Sequence, residues 1–521
     1  MEYLLHEMIR RSTELQPEKE ALVFKNERLT YSDVYGRVMS FGRTLQQAGL
    51  QRGERVGIYL EPSVEQALSI FGTNAGDGVF VPMNHQIFPE QVLHIMKDCE
   101  MTGLVTTENR WQALLEQMDG PPPLKFVLTE AKDSPADGST AKINLQDAFH
   151  TSLQPESRCI EKDLAAILYT SGSTGKPKGV MLTHAQIMAG STIVSDYLGI
   201  TEKERILAVL PFNFDAGLNQ IMTAFQQCAS LVMMNFVFAR EIVKMLEKES
   251  ITGLAGVPTL WSLLSQPQST LAKTPLPALR YITNTGGAMP QPVLAKLREC
   301  LPQTLIFLMY GLTEAFRSTY LPPDQLNSRP TSIGKAIPDT EILVINEQGN
   351  PCKPGEIGEL VHRGPTVSLG YWGHPDLTDQ VLRPYPFAAP QLRDWEKVCY
   401  SGDLVKLDEE GYIYFIGRRD TMIKSSGFRI SPTEVEEVIF RCGQVVGAAV
   451  IGIPDEVLGQ HIKAFVVRKN NSDISTEAIL AFCAEHLPRY MVPQAVEFLN
   501  ELPKTPSGKV DYPALRRREG L

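Results

Sequence analysis

The chain has 521 residues, 43% hydrophobic and 21% charged, the balance of an ordinary globular protein too long for a single core. Its formal net charge of −10 argues against a general nucleic-acid binder, whose surface must be basic, but permits a locally basic pocket. Cys99, Cys159, Cys228, Cys300, Cys352, Cys399, Cys442 and Cys483 form no C-x-x-C pair, so free thiols in a reducing cytoplasm are expected rather than a zinc site or redox dithiol.

Met1 to Arg11 lacks the apolar core of a signal peptide, and no run of about 18 apolar residues predicts a membrane span. Tyr31 to Ala48 reads as an amphipathic helix, Arg55 to Leu60 as a strand, Ser63 to Ala75 as a helix and Gly78 to Pro82 as a strand. That alternation predicts an α/β sheet covered by helices. Residues 118 to 140, rich in Pro, Asp, Gly and Ser, read as a loop excursion. Leu164 to Leu168 is a buried strand, Thr183 to Tyr197 a helix, Arg205 to Leu210 a strand and Ala216 to Gln227 a helix. Leu231 to Asn235, Gly253 to Val257 and Tyr281 to Thr285 read as further buried strands. From about residue 340, short strands with glycine turns predict a β-rich subdomain. A helix at Thr433 to Phe440, strands at Val445 to Ile453 and His461 to Arg468, and a helix at Thr476 to His486 follow. The expected fold class is therefore α/β: a large N-terminal domain (1–417) with a β-rich subdomain, and a small α+β C-terminal domain (418–521).

The segment Tyr169-Thr170-Ser171-Gly172-Ser173-Thr174-Gly175-Lys176-Pro177-Lys178-Gly179 holds three glycines and two lysines among hydroxyl side chains. Glycines let backbone N–H groups approach an anion, hydroxyls donate further hydrogen bonds and lysines supply charge, so the composition suits a polyphosphate. It is not a Walker A loop: two residues separate Gly172 from Gly175, and Pro177 stands where a magnesium-binding hydroxyl would follow Lys176. A Ser/Gly linker has similar composition, but linkers rarely follow a buried strand with paired lysines.

Other segments end apolar runs or break the chain with small and charged residues: Asn284-Thr285-Gly286-Gly287-Ala288-Met289-Pro290, Tyr310-Gly311-Leu312-Thr313-Glu314, Tyr400-Ser401-Gly402-Asp403-Leu404, Gly417 to Ile430, and Pro503 to Asp511. Each alone could be a turn or a helix start. In this order and spacing they resemble the AMP-forming adenylating enzymes, the superfamily of acyl-CoA synthetases, nonribosomal peptide synthetase adenylation domains and firefly luciferase. The resemblance runs from near Leu29 to Ala514.

The resemblance implies roles. Thr170, Ser171, Gly172, Ser173, Thr174, Gly175, Lys176 and Lys178 would hold the β- and γ-phosphates of ATP. Gly286, Gly287, Ala288, Tyr310 and Gly311 would line the adenine site, Thr313 would bond the α-phosphate, and Glu314 would hold Mg²⁺. Asp403 would accept the ribose hydroxyls and Arg418 would assist at ribose or phosphate. Asp420 matches a hinge about which a mobile C-terminal domain turns. Lys424 and Gly427 match positions of the thioester step, Gly427 leaving room for a pantetheine arm, and Lys509 matches the adenylation lysine.

For the acid, Leu210 to Gln220 carries Phe214-Asp215, the pattern with which peptide-synthetase domains bind an α-ammonium; Asn219 and Gly287 would share that pocket. Asp215 could also be the N-cap of the following helix, a role compatible with the first. Stand-alone L-prolyl–carrier-protein ligases and exosortase-associated acyl-CoA ligases look similar here. Arg317 departs from most amino-acid-activating domains and, facing the pocket, could pair with a substrate carboxylate or with Asp215. No carrier domain is read within the 521 residues, so the thiol is expected from a separate acyl or peptidyl carrier protein or from CoA. The expectation is ATP- and Mg²⁺-dependent activation of an amino acid, with L-proline as candidate, or alternatively an acyl-CoA ligase acting on a non-amino carboxylic acid.

Overall fold

The computed structural model describes residues 2–118, 120, 123–131, 140–151, 154–171, 177–392, 395–419, 421–425, 428–455, 458–470, 472–505 and 508–521, without the side chains of Ser171, Lys424, Phe428 and Arg429. Gly172, Ser173, Thr174, Gly175, Lys176, Asp420 and Gly427 lie outside the described residues.

Among the described residues two large sheets form the N-terminal region. One orders the strands Ala141–Asn144, Phe126–Thr129, Gly103–Thr106, Arg55–Tyr59, Val79–Pro82, Leu164–Ser171 and Pro177–Thr183, all parallel except the last pair. The second is parallel through Glu20–Phe24, Ser230–Met233, Arg205–Ala208, Gly253–Gly256, Tyr281–Asn284 and Leu305–Tyr310, with antiparallel strands at its edges. The parallel strands are short and apolar because helices cover both faces. Tyr31–Gln47, Val64–Ala75, His184–Leu198 and Asp215–Gln226 share one continuous core with side chains from both sheets.

Local sequence explains several boundaries. Thr30, Ser63 and Thr183 each cap a helix by accepting the N–H of the residue three positions on. The 118–140 stretch is not wholly a loop. Phe126–Thr129 is a fully buried strand pairing with Gly103–Thr106. Its four apolar and β-branched residues are too few to stand out among the flanking prolines and glycines.

A five-stranded sheet from Glu341–Ile345 to Ile413–Arg418, antiparallel throughout, is the β-rich subdomain. The small C-terminal domain has a three-stranded sheet, Val445–Asp455, Gly459–Arg468 and Ala495–Leu499, with its own core against Pro432–Arg441 and Thr476–His486. No helix among the described residues is long and apolar enough to cross a membrane, and all eight cysteines are free.

Candidate active site

The glycine-lysine segment joins two paired strands. Leu164–Ser171 and Pro177–Thr183 run antiparallel, with Thr170 opposite Lys178 and Ser171 opposite Pro177. The flanks read as loop are thus hydrogen-bonded strand ends, which fix where the intervening residues begin and end. Residues 369–372 run beside the outer strand, with Trp372 N–H donating to the Gly179 carbonyl at 2.8 Å. This contact brings in Tyr371, a residue the motifs did not mark. Lys178 Nζ stands 5.5 Å from the Tyr371 ring centre, and the Tyr371 hydroxyl donates to Glu314 Oε1 at 2.6 Å. Burial, with the Glu314 carboxylate beside it, raises the Tyr371 phenol well above its ordinary range and keeps it a donor. Lys178, expected at the phosphates, and Glu314, the expected magnesium carboxylate, therefore meet at one aromatic side chain. Its only trace in the sequence is an aromatic pair after Gly370.

The next strands deliver their residues at their C-terminal ends, where open α/β sheets hold ligands. Gly286, Gly287 and Ala288 follow Tyr281–Asn284; Asn284 Nδ2 donates to the Gly287 carbonyl at 2.9 Å and holds the turn. Tyr310 ends Leu305–Tyr310, Gly311 follows it, and Thr313 and Glu314 lie in a one-turn 3₁₀ helix. The Tyr310 hydroxyl donates to Asp403 Oδ2, whose other oxygen lies 3.6 Å from Arg418 Nε. Burial first, then Asp403, lifts the Tyr310 phenol far above its usual pKa. Tyr310, Asp403 and Arg418, widely spaced in sequence, thus form one cluster.

Lys509 reaches the same strand ends from the small domain. Its Nζ is 5.3 Å from the Phe214 ring centre. Gly286 has φ +80°, and a Cβ there would lie 3.1 Å from Lys509 Cε, so glycine serves both the backbone and the lysine. Thr259 Oγ1 donates to the Gly508 carbonyl at 3.2 Å, pinning the Lys509 turn to the large domain. Lys424 pairs through its backbone with Arg429 in a two-stranded ribbon.

Where the acid is expected, the helix Asp215–Gln226 has Phe214 as its N-cap, with no side-chain cap bond. Asp215 is the first helical residue, not the cap. Its Oδ2 accepts from Arg317 Nη1 at 3.0 Å, and both side chains are about 5% exposed. Arg317 is turned inward by an unusual backbone. Phe316 has φ +42°, and its ring fills the space a Cβ on Gly190 would occupy at 2.4 Å. The far side of the turn is held by a buried histidine: His362 Nδ1 meets Ser318 Oγ at 3.0 Å, its Nε2 meets Thr366 Oγ1 at 3.1 Å, and Thr366 Oγ1 donates to the Arg317 carbonyl at 3.4 Å. Burial lowers the His362 pKa to about 3, so it is neutral. Asn219 lies one turn along the same helix, lining a cavity with Arg317.

The pattern "AMP-binding enzyme" matches residues 9–372, and "AMP-binding enzyme C-terminal domain" matches residues 434–509. The chain belongs to the AMP-binding enzyme family. This AMP-binding enzyme is 31% identical to a long-chain-fatty-acid–CoA ligase of Yersinia pestis, over 99% of this chain and 94% of that protein. It is 28% identical to tyrocidine synthase 1 of Brevibacillus parabrevis, over 98% of this chain and 44% of the larger protein. Its fold matches the anthranilate CoA ligase AuaEII, solved with anthranoyl-AMP, with a TM-score of 0.88 and 25% identity, covering 99% of this chain and 97% of that one. The enzyme is an AMP-forming acid–thiol ligase of the adenylating class.

Proposed function

We propose that this ligase activates a carboxylic acid lacking an α-ammonium group and transfers it to a phosphopantetheine thiol, with CoA as the simplest acceptor. The carrying observation is the buried Asp215–Arg317 pair. A carboxylate in an apolar site needs a cation, and Arg317 supplies it within the protein, removing the need for a substrate ammonium.

In the first step a substrate carboxylate oxygen attacks the α-phosphorus of ATP, the bond to the β-phosphate oxygen breaks, and pyrophosphate leaves. In the second, a thiolate attacks the acyl carbonyl and AMP leaves with the electron pair of the C–O bond. Neither step needs a covalent bond to the protein; positioning and charge neutralisation carry the rate. Lys509 is assigned to the first step, and its position over Phe214 and against Gly286 supports that role. Thr170, Lys178 and the residues between them are assigned to the departing phosphates, Thr313 to the α-phosphate, and Tyr310, Asp403 and Arg418 to the nucleoside. Lys424 and Gly427 are assigned to the thioester step, with domains at 1–417 and 418–521 and the hinge at Asp420.

Among the described residues no group of three or more His, Cys, Asp or Glu could hold a metal alone. A single carboxylate with the phosphates of a bound nucleotide is the kind of donor set Mg²⁺ takes, since it is commonly bound by one or two carboxylates plus substrate phosphates. Glu314, oriented by Tyr371, would hold it, and its charge would offset that of the phosphates. The free thiols of all eight cysteines support a reducing compartment such as the cytoplasm.

A second reading, an amino acid such as L-proline passed to a separate carrier protein, is favoured by Phe214-Asp215 and by the similarity to tyrocidine synthase 1. ATP–pyrophosphate exchange over amino acids and non-amino acids decides between them, followed by thioester assays with CoA and with carrier protein. Exchange confined to amino acids would overturn the first reading.

A further inference from the structure

Behind the Asp215–Arg317 pair lies a cavity of about 30 Å³, walled by the Asp215–Gln226 helix, residues of four central strands (Ile206, Ala255, Tyr281 and Met309) and the His184–Leu198 helix. Ala216 and Thr285 on its wall adjoin Asp215 and Gly286. The chain therefore passes directly from Asp215 and Gly286, beside Lys509 and Phe214, onto the wall of this space.

Most of the wall is apolar, with Val194, Leu198, Ile206 and Met309 among its residues, but one part of it carries polar groups that a plain hydrocarbon chain would leave unmet. Three of the lining residues carry a buried polar atom with no hydrogen-bond partner among the described residues, Arg317 Nε, Gln220 Oε1 and Asn219 Oδ1, and each residue is 4% exposed. The Gln220 amide is oriented by Nε2, which donates to the Gly217 carbonyl at 3.2 Å, so its oxygen is the atom left over. Arg317 Nη1 is committed to Asp215 and to the Phe316 carbonyl, while its buried Nε–H remains a donor without a partner among the described residues. Asn219 can present either end of its amide. A buried donor and a buried acceptor left unmet are costly, so the occupant must satisfy both.

We infer that the acid this ligase activates is short and ends in an uncharged group that is donor and acceptor at once, a hydroxyl or a carboxamide, held between Arg317 Nε–H and the Gln220 carbonyl. The inference rests on the ligase reading above. Charge selects the class: Asp215 already neutralises Arg317, so a second carboxylate or a terminal ammonium would bring an unmatched charge into the interior. Size agrees, since a water-sized group needs roughly 10–15 Å³ of such space, and the cavity holds two or three of them.

The test is ATP–pyrophosphate exchange by the full chain with pairs of short acids matched in length, one ending in hydroxyl or carboxamide and the other in methyl or isopropyl. The polar member should exceed its apolar partner in kcat/KM by about 100-fold, as expected where a site is built to hydrogen-bond its substrate. Gln220→Met should cut that ratio about tenfold or more. Asn219→Leu is the second variant should Gln220→Met fail to fold, and should lower the ratio in the same direction. Equal or better exchange with the apolar acids would mean that the cavity holds only water, and the inference falls while the ligase reading stands. An unchanged ratio in the folded variant overturns it too. Exchange with no acid of any kind removes the ligase reading, and this inference with it.

Discussion

The two ends of the candidate site are built differently. At the nucleotide end, Gly286, Tyr310, Glu314 and Lys178 sit on strand ends or in the turn just after them, and their neighbours are set by sheet register. At the acyl end, the decisive contact joins Asp215 to Arg317, 102 positions apart, across a helix start and a strained turn. The first end can keep one geometry while the second is rebuilt, because the contact that decides the second lies between a helix start and a turn rather than within the sheet pairing. This is the arrangement expected of an enzyme class in which one reaction serves many acids.

The largest expected effect tests the nucleotide end. Lys509→Ala should lower adenylate formation by about 10³-fold, the scale of removing a group aimed at developing charge. Thioester formation from supplied adenylate should be largely spared. Separate half-reaction assays read both numbers, and equal losses in the two would show that the substitution disturbs the small domain rather than the chemistry.

The acyl end should respond in stability instead. Arg317→Met strands the Asp215 carboxylate in a buried site and should cost about 3–5 kcal/mol. Asp215→Asn in the same chain should restore much of it, and a double-mutant cycle by denaturant unfolding measures the coupling. Independent, additive losses would mean the pair contributes nothing as a pair.

The delivery of Lys509 links the ends to pH. Glu436 Oε1 accepts from Val450 N–H at 2.8 Å and from the Tyr512 hydroxyl at 2.7 Å, three residues beyond Lys509. Burial raises the Glu436 pKa to about 7 from an ordinary 4.5. The folded domain therefore binds this proton more tightly than the unfolded chain. The stability it confers is complete below pH 4.5 and is lost as pH rises to about 7, a span of up to ~3 kcal/mol. His362 acts in the opposite sense in the large domain: its pKa of about 3 lies below the ordinary 6.5, so its contribution is present above 6.5 and is lost as pH falls toward 3. Hydrogen exchange across pH should show the small domain weakening between pH 4.5 and 7, and Glu436→Gln should flatten that trend.

Most of the fold was legible because its signals are local. Tyr31–Gln47 and Val64–Ala75 are amphipathic or apolar helices with side-chain caps, and the central strands are apolar runs closed by glycine or polar residues. Phe126–Thr129 escaped because four residues carry little periodicity. At the site, Tyr310, Asp403 and Lys509 could be named from motifs, but not the hydroxyl–carboxylate bond between the first two. Arg317 was visible as an oddity with two candidate partners. Choosing Asp215 required the turn at Phe316, whose positive φ no propensity indicates at a phenylalanine. Tyr371 and Gln220 were missed because nothing in their own neighbourhood distinguishes them from structural residues.

Tyr371 offers the finest test of the contrast. Its hydroxyl ties the Glu314 carboxylate to the segment beside the Pro177–Thr183 strand, yet its ring is held independently by the pairing of residues 369–372 with that strand. Tyr371→Phe should therefore leave the backbone and the ring over Lys178 in place and remove one hydrogen bond to a carboxylate, worth about 1–2 kcal/mol. If Glu314 holds Mg²⁺, the loss should appear as a roughly 5- to 20-fold higher magnesium requirement in pyrophosphate exchange, because the freed carboxylate must be oriented by the metal itself. The preference among acids should not move, since Tyr371 lies at the nucleotide end. A shift in acid preference without a change in magnesium dependence would show that the two ends are coupled through the Thr313–Arg317 turn, and that the division between them drawn from the contacts is wrong.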